Sequence, residues 1–232
     1  MSSVEKLDRR LKTIAQMVRQ NIRLADVGCD HGYLITALAA DGIITGGIAC
    51  DINEMPLDNA RTEIARRNLE SVIECRLGSG LDLIGENEVD DIVIAGMGGE
   101  LIASILEQCR WKNLSGKHFV LQPMSRAPFL RRWLYNNGFV ISKERATVSG
   151  KHIYTVMDVT YSGKKCNMSE YDLYCYSGEL SCDNSREAKL FMMRTLKELK
   201  KQCAGAAVSD KEKEQKLLRL IHRLTTVIEE GR

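Results

Sequence analysis

The sequence lacks any long apolar run, which argues against a membrane-spanning chain. It contains no stretch of about 18 consecutive apolar residues, the length that a transmembrane helix needs. The basic residues Lys6, Arg9 and Arg10 near the N-terminus are not followed by the apolar segment of a signal peptide. We therefore expect a protein of the cytoplasm that does not cross a membrane.

Paired cysteines at metal-binding spacing are also absent. The chain has eight cysteines, but none of them form a Cys-x-x-Cys pair, the spacing that many structural zinc sites use. Several cysteines lie inside apolar runs, as Cys50 does in GGIACD. This pattern predicts reduced, buried thiols and no metal site.

What the sequence does contain is a regular alternation of short apolar strands and amphipathic helices. Strands are predicted at residues 23–28, 47–51, 72–77, 90–95, 119–122, 139–144 and 153–160. Helices are predicted at residues 4–19, 33–41, 56–68, 100–109 and 128–136. Repeated β–α units predict an α/β domain over residues 1–162, built on a mostly parallel, doubly wound sheet of seven strands. The last two strands would form a hairpin at its edge.

The chain changes character after residue 162. A polar connector over residues 162–181 precedes two helical patterns that start at Asn184 and Ser209, each with a glutamate three residues later. An AGAA segment at residues 204–207 is predicted to form the turn between them. Residues 163–232 are therefore predicted to form a second domain, a coiled-coil-like hairpin of two helices.

The turn after the first predicted strand lacks the dinucleotide-binding pattern G-x-G-x-x-G. Residues 26–32 read DVGCDHG, with Asp30 in place of the middle glycine. Aspartate tolerates a left-handed backbone, so a tight turn is still feasible. A carboxylate beside a pyrophosphate is unfavourable, whereas one beside a sulfonium or an amine is favourable. The turn therefore favours S-adenosylmethionine over NAD.

Acidic residues and glycines follow the other strands at the edge where doubly wound sheets bind ligands. Asp51 ends the second strand, where a carboxylate can accept both ribose hydroxyls of an adenosine ligand. Residues 78–80 and 96–99 are rich in glycine and permit close approach of the backbone to a ligand. Gln122 ends the fifth strand, where it can bond a base edge or cap a loop. Together these residues predict a site for an adenosine-containing cofactor.

Charge is distributed unevenly, although the net charge is only +2. Residues 24–109 carry four basic and sixteen acidic side chains, whereas residues 110–151 carry nine basic and one acidic. Such a basic block can face a polyanion, or its charges can be scattered over separate faces. The sequence leaves both interpretations open.

These segments resemble the class I S-adenosylmethionine-dependent methyltransferases and, more narrowly, the bacterial TrmK family of tRNA methyltransferases. The matching segments include LDRRLKTIAQMV, RLADVGCDHGYL, RLGSGLDLI, DDIVIAGMGGELIASIL, LQPMSRAPFLRRWL and GKHIYTVM. The resemblance covers roughly residues 5–160 and implies a Rossmann-like methyltransferase domain followed by a helical hairpin. It also implies that the protein methylates N1 of an adenine, at position 22 in the D-arm region of tRNA.

The resemblance and the residue positions together predict two sets of site residues. The cofactor set is Arg10, Asp26, Gly28, Asp30, Gly32, Asp51, Ile52, Gly78, Ser79, Gly80, Gly96 and Met97. The set beside the RNA substrate is Gly98, Gly99, Gln122, Pro123, Arg126, Arg131 and Arg132. Asp30 is predicted to be catalytic, because it lies nearest the expected sulfonium and can stabilise the charge that develops on the adenine. Further phosphate contacts are predicted from Lys6, Arg9, Lys197, Lys200 and Lys201.

Three residues depart from the family pattern. Ile35 stands where the family has proline, Ser79 where it has aspartate and Met124 where it has asparagine. Met124 matters most, because a polar group near the target base is lost. Two alternatives therefore stay open, a methyltransferase of another substrate and an RNA-binding protein of this fold without activity. An NAD enzyme is a third alternative, which the missing glycine pattern disfavours.

Overall fold

A seven-stranded sheet forms the centre of the molecule. The structure, a computed structural model, describes residues 2–166 and 178–230. The strands of the described part are β1 (Ile22–Val27), β2 (Ile44–Asp51), β3 (Ile73–Leu77), β4 (Asp91–Gly98), β5 (His118–Ser125), β6 (Phe139–Ser149) and β7 (His152–Tyr161). Their spatial order is β3-β2-β1-β4-β5-β7-β6, with β1 to β5 parallel and β7 antiparallel to both of its neighbours. This arrangement confirms the predicted doubly wound sheet with a hairpin at its edge.

Helices cover both faces of this sheet. They are α1 (Arg9–Ala15), α2 (Tyr33–Ala40), α3 (Glu54–Arg66), α4 (Gly99–Gln108) and α5 (Ala127–Asn136), followed by α6 (Arg186–Ser209) and α7 (Lys211–Glu230). In β4, Ile92 and Ile94 pack into the core on the side of α4 and α5, and Val93 packs on the side of α1, α2 and α3. Successive side chains of a strand point to opposite faces, which explains why this strand is a continuous apolar run.

The N-terminal segment departs from the single helix predicted over residues 4–19. It forms a short 3-10 helix at Val4–Lys6 and then α1, separated by an extended backbone at Leu7 and Asp8. The Asp8 carboxylate accepts a hydrogen bond from the Leu11 backbone N–H at 2.7 Å, so that Asp8 caps α1. The predicted continuous helix is wrong because a capping aspartate starts a new helix at this point.

The C-terminal helices pack against each other, and their apolar seam contains Met192, Leu199, Leu217 and Leu224. The predicted AGAA turn is wrong: residues 204–207 lie inside α6, since alanine strongly favours a helix. The chain instead reverses at Asp210, whose carboxylate accepts a hydrogen bond from the Lys213 backbone N–H at 3.0 Å.

The N-terminal cap of α6 also differs from the prediction. Ser185, rather than Asn184, is the capping residue, and its hydroxyl accepts a hydrogen bond from the Ala188 backbone N–H at 3.1 Å. Of the predicted polar connector, residues 167–177 lie outside the described residues.

A buried ion pair lies where the C-terminal segment meets the sheet. Arg131 of α5 and Glu144 of β6 are 2.9 Å apart, and both side chains are fully buried. The Thr155 hydroxyl donates a hydrogen bond to the same carboxylate at 3.0 Å, and the Arg131 guanidinium lies 5.9 Å from the Phe191 ring of α6. The prediction that Arg131 contacts RNA is therefore wrong, because its charge is neutralised in the interior.

Seven of the eight cysteines are in the described residues, and all seven are free thiols. Cys29, Cys50 and Cys203 are buried, whereas Cys182 is exposed, so the prediction of buried thiols holds for only some of them. Burial raises the pKa of the Cys50 thiol to about 12, which keeps it protonated. The described residues contain no helix that is long and apolar enough to cross a membrane. They also bring no three metal-ligating side chains together.

Candidate active site

A cavity of about 680 Å³ opens at the carboxyl ends of β1, β2, β3 and β4. The order of the sheet reverses between β1 and β4, and ligands of doubly wound sheets bind at such a switch point. Most of the predicted cofactor residues line the cavity: Arg10, Asp26, Gly28, Asp30, Asp51, Ile52, Gly78, Ser79, Gly80, Gly96 and Met97.

The turn after β1 forms the floor of this cavity. Gly28 has a φ of +72°, and its backbone N–H donates a hydrogen bond to the Cys50 carbonyl of β2 at 2.8 Å. A side chain at Gly28 would collide with the end of the Met97 side chain. Asp30 adopts a φ of +50°, so the predicted left-handed aspartate is present. Glycine is favoured here by its backbone conformation, since the contacting atom of Met97 is the end of a flexible side chain that can move aside.

Asp26 is the most deeply buried carboxylate of the cavity. Only 5% of the residue is exposed, and this burial raises its pKa to about 7, although the nearby Arg10 guanidinium opposes the shift. Arg10 reaches the cavity from α1, which sequence spacing alone cannot show. Asp26 and Arg10 thus form an oppositely charged pair suited to the amino and carboxylate groups of an amino acid.

Gln122 positions Arg10 and does not face the cavity. It is fully buried, and its Oε1 accepts hydrogen bonds from Arg10 Nη1 at 3.0 Å and from the Gly96 backbone N–H at 3.2 Å. Its Nε2 donates to the Pro123 carbonyl at 3.0 Å. The prediction that Gln122 contacts the target base is therefore wrong, because the polar atoms of its side chain are occupied inside the protein.

Asp51 ends β2 at the opposite wall. One of its carboxylate oxygens accepts a hydrogen bond from the Asn53 backbone N–H at 2.9 Å, and the other lies 3.4 Å from the Asp30 backbone nitrogen. These bonds fix the carboxylate at the mouth of the cavity beside Ile52, a place that suits ribose hydroxyls.

The apolar wall of the cavity comes in part from residues that the sequence did not single out. Leu101 and Ile105 of α4 line the cavity together with Ile52. A Cβ at Gly80 would lie 3.1 Å from Ile105, so the backbone there is already in close packing. The spacing of Leu101 and Ile105 places them on one face of a helix, and this was the available signal.

Asp30 lies at the rim of the cavity. Its side chain is 69% exposed, and one carboxylate oxygen lies 3.6 Å from His31 Nε2. The His31 ring stacks on Tyr33 with 5.2 Å between the ring centroids. A second carboxylate, that of Asp8, also lines the cavity, but it is engaged in capping α1. Asp30 is therefore the rim carboxylate that is most open to a substrate.

Several predicted site residues serve packing. A Cβ at Gly32 would lie 3.0 Å from Ala60, so this glycine allows α2 to approach α3. Gly99 is buried, and a Cβ there would lie 2.7 Å from the Arg126 carbonyl. Gly98 pairs with Ser125 at the ends of β4 and β5. The structure thus places Gly32 and Gly99 in the protein interior, and neither of them lines the cavity.

The predicted phosphate contacts other than Arg131 are at the surface or the cavity. Arg126 is exposed and pairs with Glu100 at 2.9 Å, and Arg9 pairs with Glu187 of α6 at 3.8 Å. The others that are exposed are Lys6, Arg132, Lys197, Lys200 and Lys201. The ion pairs of Arg126 and Arg9 are exposed and therefore weak in water, so both side chains can exchange them for contacts with a polyanion.

The donor set of the cavity fits S-adenosylmethionine. The Asp26–Arg10 pair matches the amino acid end, Asp51 matches the ribose and the wall formed by Leu101 and Ile105 matches a flat ring. Four carboxylates and one guanidinium line the cavity, and this excess of negative charge disfavours the pyrophosphate of NAD.

Comparisons with known proteins agree with this geometry. The family model of the methyltransferase domain matches residues 7–157. The tRNA (adenine(22)-N(1))-methyltransferase of Bacillus subtilis is 34% identical over 165 residues, which cover 68% of this chain and 69% of that protein.

Solved structures extend the similarity to the C-terminal hairpin. The crystal structure of a candidate tRNA (m1A22) methyltransferase from Streptococcus pneumoniae matches with a TM-score of 0.84 at 30% identity, covering 96% of this chain and 99% of that one. The structure of the same S. pneumoniae protein in complex with S-adenosyl-L-methionine has a TM-score of 0.79 at 32% identity, covering 94% of this chain and 98% of that one.

Proposed function

The chain belongs to the methyltransferase domain family and, within it, to the TrmK family of tRNA (adenine-N1) methyltransferases, and from this premise we propose that it methylates N1 of adenine 22 in the D-arm region of tRNA. The observation that carries the proposal is the acid-lined cavity at the switch point of the sheet, whose Asp26–Arg10 pair and Asp51 match S-adenosylmethionine. We further propose that the protein acts in the cytoplasm, because its proposed substrate is tRNA.

We assign the cofactor-binding roles residue by residue. Asp26 binds the amino group of the methionine moiety, and Arg10, held by Gln122, binds its carboxylate. Asp51 accepts the ribose hydroxyls, while residues 78–80 contact the adenine ring. Bound in this way, S-adenosylmethionine supplies an activated methyl group as part of a sulfonium.

Asp30 is the proposed catalytic residue. The N1 lone pair of adenine lies in the ring plane and is free only when the base is unpaired, so the base must enter the cavity out of its stack. Transfer would form the bond from N1 to the methyl carbon as the bond from that carbon to sulfur breaks, so the positive charge would pass from sulfur to the adenine ring and its exocyclic amine. The Asp30 carboxylate at the rim accepts a hydrogen bond from that amine and stabilises the charge. The chemistry needs no nucleophilic side chain.

Met124 lies where the base would enter. It is 42% exposed, lines the cavity, and its sulfur is 3.6 Å from Gln122 Nε2. A thioether packs against a flat base but is only a weak hydrogen-bond acceptor. We therefore propose that Met124 contributes apolar contact, and that Asp30 supplies the polar recognition of the base.

Methyl transfer from labelled S-adenosylmethionine to unmodified bulk tRNA, followed by nucleoside analysis, tests this function. We expect labelled N1-methyladenosine. Cofactor binding without incorporation into tRNA would instead support the alternative of an RNA-binding protein without activity, or a methyltransferase of another substrate. Absence of cofactor binding would contradict the proposal and the alternative of a methyltransferase of another substrate.

A further inference from the structure

A second, smaller groove lies between the catalytic domain and the C-terminal hairpin. Its walls are the turn from β5 into α5, the start of β7 and one face of α6, and its volume is about 240 Å³. Tyr154 lies on the β7 side, whereas Phe191, Arg194 and Gln202 lie on the α6 side. The volume is below the range that is usual for a cofactor or a drug-sized ligand, so the groove suits a chemical group of the size of a single base.

This groove adjoins the cofactor cavity. Met124 lines both of them. Gly98, beside the cavity, pairs with Ser125, which lines the groove. A polymer that places one unit in the cavity can therefore cross Met124 and place its next unit in the groove.

The lining of the groove has the chemistry of a nucleotide site. Tyr154 and Pro128 offer flat or apolar surfaces, and Thr195 and Gln202 offer neutral hydrogen-bonding groups. Aromatic side chains stack on bases of any sequence, and guanidinium groups bind phosphate. Arg194 and Arg126 supply two such cations, of which Arg126 is paired with Glu100 at 2.9 Å, and Glu198 is the single carboxylate among the residues that line the groove.

A row of positive charge continues from the groove along α6. Lys197 and Lys201 follow Arg194 by three and seven residues, a spacing that keeps all three on one side of the helix. All three side chains are exposed. An RNA strand that leaves the groove would therefore continue along a basic surface, whereas an uncharged peptide would gain nothing from it.

We propose that this groove is a second nucleotide subsite, which holds the RNA nucleotide adjacent to the target adenine, with its base on Tyr154 and its phosphate on Arg194. The inference rests on the proposed function, since it places the neighbour of the base that enters the cofactor cavity. It assigns the C-terminal hairpin a direct part in aligning the substrate strand.

Two variants test the subsite, Tyr154→Ala and Arg194→Gln. We expect each to raise the KM for tRNA about tenfold, the effect of losing one stacked base or one phosphate contact, with the KM for S-adenosylmethionine unchanged. The Arg194→Gln variant should also make the slope of log kcat/KM against log salt concentration shallower, by about the amount expected for the loss of one phosphate contact. Lys213→Gln, which removes one charge from α7 outside the groove, is the matched control and should leave the KM for tRNA unchanged.

Substrates that lack one base make the test sharper. D-arm RNAs with an abasic nucleotide on the 5′ or the 3′ side of the target adenine should show the same loss with the wild-type protein, for one of the two sides. That abasic RNA should show no further loss with Tyr154→Ala, because the stacked pair is already broken. If the loss from Tyr154→Ala adds to the loss from the abasic nucleotide for both the 5′ and the 3′ substrate, the proposed subsite is wrong.

The outcomes separate this inference from the proposed function. If the wild-type protein methylates tRNA and both variants have the wild-type KM for tRNA, the proposed subsite is wrong and the proposed function stands. If the wild-type protein does not methylate tRNA, the proposed function fails first. Because Arg194 lies exposed on a helix, its variant tests the subsite even if Tyr154→Ala does not fold.

Discussion

At the scale of single residues, the carboxylates of the cavity differ mainly in burial. Asp26 is 5% exposed and Asp51 is held by backbone N–H groups, whereas the Asp30 side chain is 69% exposed at the rim. A buried carboxylate gains most from a fixed positive partner, while an exposed one can meet a substrate that enters from solvent. The same residue type therefore has three different proposed roles in one cavity.

The burial of Asp26 predicts that cofactor affinity depends on pH. Its pKa is raised to about 7, and only the ionised form attracts the amino group of the cofactor. Between pH 6 and pH 7.5, calorimetry should show the Kd for S-adenosylmethionine fall by about eightfold as Asp26 ionises. Asp26→Asn should bind more weakly and without this dependence. A Kd that is equally pH-dependent in the variant would assign the titration to another group.

Substitution of Asp30 separates chemistry from binding. Asp30→Ala should lower kcat for tRNA methylation by about 100- to 1,000-fold, because the charge that develops on the adenine loses its partner. The affinity for tRNA should stay within a few fold of wild type in a filter-binding assay. Asp58→Asn on α3, which also alters an exposed carboxylate, is the control and should keep kcat. Equal loss of binding and turnover in Asp30→Ala would mean that Asp30 only holds the substrate.

At the scale of secondary-structure elements, buried polar side chains join strands and helices around the site. Gln122 links β5 to α1 through Arg10 and to β4 through the Gly96 backbone. His118 of β5 links β4 to β7 through Asp91 at 2.9 Å and Asp158 at 3.1 Å. Such buried groups are costly unless all their partners are present, so each one fixes the relative position of several elements.

Loss of the Gln122 side chain should move α1 away from the cofactor site. Gln122→Ala leaves Arg10 and the Gly96 N–H without this acceptor, at a cost of about 1–3 kcal/mol. We expect the KM for S-adenosylmethionine to rise by about tenfold or more, with a smaller change in kcat. Arg10→Ala should have a similar effect, and the double variant should be no worse than either single one. Independent, additive effects would show that Gln122 does not act through Arg10.

The environment of His118 predicts that the folded protein loses stability as the pH becomes alkaline. Burial alone disfavours its charged form, but the hydrogen bonds to Asp158 and Asp91 outweigh burial and raise its pKa to about 9. The unfolded value is about 6.5, so the stabilisation is complete below that pH and is lost as the pH rises through about 9.

Thermal unfolding of His118→Gln measures this contribution. At pH 6 we expect a loss of about 2 kcal/mol, or about 4–8 °C in Tm, which shrinks towards pH 10 as wild type loses the charge. His152→Gln, at an exposed position of β7, should not change Tm at either pH. A difference between wild type and His118→Gln that stays constant from pH 6 to pH 10 would contradict the charged state.

At the scale of the whole molecule, the sequence was sufficient for the sheet and for the edge that carries the site. Apolar strands and helical stripes are local patterns, so the seven strands and the turns at their ends could be read directly. The role of Gln122 could not be predicted from the sequence, because it depends on Arg10, which is 112 residues away in sequence. The prediction that Arg131 contacts RNA is wrong for the same reason, since its partner Glu144 lies on another element. Contacts between distant residues decide whether a polar side chain faces solvent or the interior.

A matched pair of tRNA transcripts provides a direct test of methyl transfer to N1 of adenine 22. One transcript carries adenine at position 22 and the other carries guanine there, with the rest of the sequence identical. With S-adenosylmethionine, we expect one N1-methyladenosine per molecule of the first transcript and none in the second. Equal methylation of both transcripts would contradict the assigned position, and methylation of neither would contradict the assigned reaction.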